Sequence, residues 1–104
     1  MSVLMSLVIF PTDKGSSVSK YVSRVVEIIR DTGYDYRLTP MATIIETPSL
    51  NHCTEIIEKA YSAIGADSER VYITATFDIR TNGTEQRLNS KIASVESKIG
   101  DVKK

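Results

Sequence analysis

The sequence predicts an α+β domain in which strands and helices follow one another as β-α-β-β-α-β, with one more helix behind them. Three observations carry this reading. Extended apolar runs occupy residues 2–10 and 70–80, and two shorter ones meet at Pro40. Between them, apolar residues recur at helical spacing from Val18 to Ile29, from Leu50 to Ile64 and from Leu88 to Ile99. Gly15, Gly33, Pro40, Pro48, Gly65 and Gly83 punctuate the boundaries, where chain reversals are cheapest.

The first strand, residues 2–10, is apolar at both alternations. Val3, Met5, Leu7 and Ile9 point one way, while Leu4, Val8 and Phe10 point the other. Gly15-Ser16-Ser17 then opens a helix, offering hydroxyls to its unpaired N–H groups. Val18, Val22, Val25 and Ile29 form its stripe, Tyr21 and Ile28 widen it, and Gly33 stops it. Residues 34–39 and 42–47 are two short strands with Pro40 and Met41 at the turn. Pro48 and Ser49 lead into a second helix. Its expected inward face is Leu50, Cys53, Ile57, Ala60, Tyr61 and Ile64, and Gly65 ends it.

The last strand, residues 70–80, divides cleanly. Val71, Ile73, Ala75, Phe77 and Ile79 oppose Tyr72, Thr74, Thr76, Asp78 and Arg80. Asn82-Gly83-Thr84 turns the chain into the final helix, which is expected to dock through Leu88, Ile92, Val95 and Ile99. This order suits a ferredoxin-like split βαβ fold, with four antiparallel strands, two helices on one face and an extra C-terminal helix. Residues 1–104 read as a single domain, without a linker, low-complexity stretch or internal repeat.

Two helices cover only one face of such a sheet, yet the first and third strands are apolar on both. A monomer rarely exposes so large an apolar surface. The final helix offers a narrow stripe and a partial cover, so a homodimer or homotetramer is expected.

Thirteen basic residues balance thirteen acidic ones, and neither sign forms a block. A nucleic-acid partner is therefore disfavoured, because phosphate neutralisation calls for a basic excess. The apolar start, Val3 to Phe10, is too short to span a membrane. It lacks the basic flank and small-residue cleavage site of an export signal. The lone Cys53 has no internal disulfide partner, which suits a reducing cytoplasm.

Catalytic chemistry finds little support. His52 and Cys53 are adjacent, and adjacent helical residues point about 100° apart, a poor geometry for a dyad. They read instead as a surface histidine beside a core cysteine. There is no Cys/His cluster for zinc and no Gly-rich phosphate loop, so neither a resident metal nor a cofactor is expected. Asp78 and Arg80, two apart on one strand face, read as an ion pair within or between chains.

Glu46 stands out. It is a carboxylate in an otherwise apolar strand that reads as covered on both faces. Burial without a partner costs several kcal/mol, so either the protein or a ligand supplies one. In context, Pro40-Met41-Ala42-Thr43-Ile44-Ile45-Glu46 resembles the Pro-Met-Gly-Thr-x-x-Glu signature of the thiamine-binding protein family. The stretch Lys91 to Ile99 resembles that family's closing pattern, and Ser17–Val22, Gly65, Arg70-Val71 and Arg80 also match. Ala42 stands where the family usually has glycine, and Thr76 to Arg80 is a looser version of its last strand.

The resemblance implies a ferredoxin-like domain that assembles through its sheets. It also implies binding of thiamine, or its hydroxymethylpyrimidine half, without transformation. On that reading Glu46 accepts from the amine or balances the thiazolium cation, since charge-assisted bonds are the strong ones. Thr43 adds a hydroxyl, Ser17 a polar contact carried over from the family pattern, and Phe77 or Phe10 a stacking ring. The alternative is a self-assembling interaction module without a ligand, in which Glu46 is a structural residue.

Overall fold

The computed structural model describes residues 1–15, 18–83 and 86–104. Seven elements follow in the expected order: β1 (Ser2–Pro11), α1 (Ser19–Asp31), β2 (Tyr36–Leu38), β3 (Thr43–Thr47), α2 (Leu50–Gly65), β4 (Val71–Arg80) and α3 (Arg87–Ile99). All strand pairs are antiparallel and the sheet order is β2-β3-β1-β4, the ferredoxin-like arrangement. The expected hydroxyl caps at Ser16 and Ser17, and the turn residue Thr84, lie outside the described residues. Val18 occupies the capping position of α1 and makes no side-chain capping bond.

β1 is the central strand. Its register sets Val3 beside Thr47 and Ile79, and Leu7 beside Thr43 and Ala75. Val3, Met5, Leu7 and Ile9 are buried on the helix side, against Tyr21, Val25 and Ile29 of α1 and Cys53, Ile56, Ala60 and Ile64 of α2. The other alternation, Leu4, Val8 and Phe10, is only half-buried. Packing by the two helices accounts for the first row alone and leaves the second, apolar row on the open face of the sheet.

The packed face of α2 differs from expectation. Ile56, not Leu50 or Tyr61, belongs to the core, at 1% exposure against 42% and 49%. The buried row runs 53-56-60-64, so Ile57 sits at its margin and Leu50 and Tyr61 fall on the flanks. Tyr61 lies instead along its own helix over Gly65, where a Cβ would come within 3.0 Å of the ring.

β4 divides as expected, with its apolar row on the helix side. Being an edge strand, it lies under the rim of the helical layer, and Ile73, Phe77 and Ile79 remain 40–44% exposed.

α3 departs most from its expected packing. Val95 and Ile99 face solvent, Leu88 and Ile92 are half-buried, and the buried residue is Arg87. Asp78 pairs with this arginine (2.8 Å), not with Arg80. The helix is therefore seated by polar groups in its first turn, with Leu88 and Ile92 half-buried and the later apolar side chains, Val95 and Ile99, exposed.

The phase of α2 is directly testable. Ile56→Ala should lower stability by about 2–5 kcal/mol, the range for truncating a fully buried aliphatic side chain. Leu50→Ala should cost about 1 kcal/mol or less. Denaturant unfolding of the two variants measures the difference, and equal losses would contradict the packing of this helix.

Candidate functional site

β3 separates the expected site residues. Successive side chains alternate across a strand, so Thr43, Ile45 and Thr47 face the helices while Ile44 and Glu46 face the open side. Thr43 pairs with Leu7 near one end of the sheet, and Glu46 with Leu4 near the other. Thr43 and Glu46 therefore open onto different cavities.

The first cavity lies under the β2–β3 turn, beside the start of α1. It measures about 200 Å³, and Val18, Val22, Leu38, Pro40, Met41 and Thr43 are among its walls. Thr39 builds the turn above it. Its hydroxyl donates to the Ala42 carbonyl (2.7 Å) and accepts from the Met41 and Ala42 amides (3.3 and 3.1 Å). This side-chain substitute for a backbone turn holds Pro40 and Met41 out over the cavity mouth. Met41 is 84% exposed, a large apolar side chain with no internal packing to explain it.

The second cavity, about 290 Å³, lies at the opposite end of the sheet. Ser2, Tyr34, Asp35, Glu46, Thr47 and Gln86 contribute to its walls. Here the partner question posed by the sequence has an answer within the chain. Ser2 Oγ donates to Glu46 Oε2 (2.7 Å), and the Leu88 amide, at the start of α3, donates to Oε1 (3.3 Å). Arg87 is locked alongside: one guanidinium nitrogen donates to the carbonyls of Ser2 (3.0 Å) and Asp78 (3.1 Å), another to the Asp78 carboxylate. Glu46 is thus a tertiary N-cap, a carboxylate 42 residues away that meets the partial positive charge of a helix start.

The remaining candidates fall elsewhere. Phe77 is on the helix side of edge strand β4, lines neither cavity and is 40% exposed. Phe10 borders the turn cavity and lies against Tyr72, with ring centroids 5.6 Å apart. Ser17 lies outside the described residues, although its neighbour Val18 is a wall of the turn cavity. His52 Nδ1 is bonded to Ser49 Oγ (2.6 Å) and the ring meets Tyr34 edge-on. Cys53 is buried against the Thr47 hydroxyl (3.2 Å), and burial pushes its thiol pKa up, away from a reactive thiolate. Among the described residues no His, Cys, Asp and Glu group could hold a metal ion. No described helix is long and apolar enough to cross a membrane.

Comparison with known proteins bears on the family and the fold. The model of the family described as thiamine-binding protein matches residues 5–96. The chain belongs to this thiamine-binding protein family. A UPF0045 protein of Methanothermobacter thermautotrophicus is 33% identical over 85 residues, covering 81% of this chain and 85% of its own length. A hypothetical protein of Methanocaldococcus jannaschii has a solved structure similar at TM-score 0.80 and 26% identity, covering 90% of this chain and 95% of that one. A Thermotoga maritima protein proposed for thiamine biosynthesis or salvage shares the fold at TM-score 0.76. Its identity is 16%, over 91% of this chain and 99% of its own.

Within the segment Pro40 to Glu46, Pro40 to Thr43 line one cavity and Glu46 the other. Sequence reasoning had the motif but not its division, nor Ser2, Arg87 and Leu88 as partners of Glu46. The Thr39-Pro40 pair was a legible turn signal. Thr39→Ala should cost about 1 kcal/mol and accelerate exchange of the Met41 and Ala42 amides while leaving the core amides protected. Native-state hydrogen exchange provides the check.

Proposed function

We propose that the protein is a non-catalytic, cytoplasmic binding protein for thiamine or its hydroxymethylpyrimidine half, acting as carrier or sensor, and that the ring enters the turn cavity. The observation behind this is that Pro40, Met41, Ala42 and Thr43, the contiguous first part of the family motif, all wall one pocket. Its volume of about 200 Å³ is below the ~300–1,000 Å³ usual for a whole drug-sized ligand, and suits one heteroaromatic ring. Apolar walls would take the pyrimidine faces and the Thr43 hydroxyl one ring nitrogen or amine, while Ser17, outside the described residues, enters only through the family resemblance. The thiazolium then lies outward, near exposed Met41.

Glu46 supports a second reading. With its two oxygens already engaged by Ser2 and Leu88, it behaves as a structural residue, as the ligand-free interaction module requires. A ligand-binding role would have it exchange these donors for the cation of thiamine, in the cavity it shares with Asp35 and Tyr34.

Calorimetric titration separates the readings. In the turn-cavity reading, neutral hydroxymethylpyrimidine binds nearly as well as thiamine. Thr43→Val weakens both up to about tenfold through loss of one hydrogen bond, and Glu46→Gln leaves affinity within about twofold. If Glu46 holds the cation, Glu46→Gln weakens thiamine about ten- to a hundredfold and Thr43→Val changes nothing. Absence of heat with either compound favours the interaction module.

Assembly is proposed as well. β4 is a ten-residue edge strand whose outer side has no partner strand in this sheet, and it presents half-exposed Ile73, Phe77 and Ile79. Sheet-paired dimers, probed by light scattering at micromolar concentration, should weigh at least twice the 11.5 kDa chain. A monomeric mass would remove self-assembly from the proposal.

A further inference from the structure

We infer that α3 is a releasable strap, latched to the sheet by one polar cluster and able to detach as a unit while the rest of the fold stays intact. The latch consists of Glu46, Ser2, Asp78 and Arg87, with the Leu88 amide. Arg37 of β2 adds a bond to the Asn89 side chain on the same turn. Every one of these contacts falls within the first three residues of a 13-residue helix.

Beyond them apolar seating is limited to half-buried Leu88 and Ile92. Arg87 is 8% exposed, whereas Val95 is 37% and Ile99 73% exposed, and none of the helix's apolar residues packs against the main core cluster. The tail is tied to the helix itself rather than to the sheet, through Glu96. That carboxylate accepts from the Val102 amide and Lys104 Nζ, and the lysine bond holds its pKa below the usual carboxylate range.

This construction makes release local. A helix seated by an apolar stripe shares the cooperativity of the core it covers. One seated by a few polar bonds opens when those bonds break, because little apolar area is exposed with it. Once detached, a 13-residue helix is at the length where isolated helices are marginal in water, so it melts. Gln86, immediately before the helix, is a wall of the Glu46 cavity, so release also removes one side of that cavity. Gln86 adopts the left-handed conformation (φ 63°), the one non-glycine position with positive φ among the described residues. Undocking frees it from this conformation as well.

Amide hydrogen exchange on the full chain tests the strap. Glu46→Gln and Arg87→Met should each accelerate exchange across residues 89–99 at least about tenfold, while β1 and β3 amides keep their wild-type rates. Ile99→Ala, which alters only an exposed side chain, should leave α3 within about twofold. Ser2→Ala deletes one donor and should give a smaller increase, about three- to tenfold, in the same segment. It decides the matter if either latch variant does not fold. Unchanged α3 rates in the latch variants would overturn the strap. So would acceleration of α3 and the sheet together, since helix and core would then open as one unit.

Discussion

The position of β1 between β3 and β4 constrains everything else in this molecule. Over Val3–Leu7 the strand has neighbours on both edges and its backbone groups are taken up by the ladders, so only its side chains can vary. Those on the helix side must be apolar to close the core, and Val3, Met5, Leu7 and Ile9 are. The register then fixes both flanks at once, because Leu4 faces Glu46 on one side and Asp78 on the other. A slip of one residue would send the core row to the open face and part Ser2 from Glu46. Packing and the polar latch thus depend on the same alignment.

The alternation of β3 has a functional consequence. Glu46 follows Thr43 by three positions, an odd offset, so a short motif delivers one polar side chain to each face. A sequence signature read as one site can therefore serve two tasks: Thr43 joins the turn cavity, and Glu46 secures α3. Charge arithmetic supports the division. A helix start attracts a carboxylate by about 0.3–1 kcal/mol at the surface and up to ~2 in partly buried settings. That gain, with the Ser2 hydrogen bond, offsets much of what it costs to bury Glu46 without any ligand.

Element order, sheet class and the central apolar strand were all legible, because they rest on periodicity and on glycine and proline punctuation. The exact face of α2 was not. Its apolar positions occupy a broad arc, and helical spacing alone accepts either the 53-57-60-64 row or the observed 53-56-60-64 row. What selects between them is the shape of β1 and α1, which no window of sequence contains. The seating of α3 was hidden for a different reason. Hydrophobic spacing marks Leu88, Ile92, Val95 and Ile99, but the buried residue is Arg87, held by Ser2 85 positions away and by Asp78 on β4, while the next amide, of Leu88, finds Glu46 42 positions away. Capping rules look for partners within a turn of the helix, and here the cap comes from another strand. The alarm raised by a lone carboxylate in an apolar strand was still sound, since it located the place where a long-range partner had to exist.

The two ends of the sheet consequently differ in kind. At the α1 end, contiguous residues of one turn enclose an apolar space with a single strand hydroxyl and an exposed methionine at the mouth. Nothing in the packing of the core requires Met41 to be there, and its exposure over the cavity is the feature the proposed ligand contact would account for. At the other end, polar groups from β1, β3, β4 and α3 satisfy one another, and their removal would be felt in the placement of a helix before it was felt in a binding isotherm. Ligand affinity and helix docking are therefore expected to respond to different substitutions, although Thr43 and Glu46 lie within one five-residue strand. That independence follows from the pleat itself. Side chains on opposite faces share a backbone but no contacts, so each face is free to be built for its own purpose.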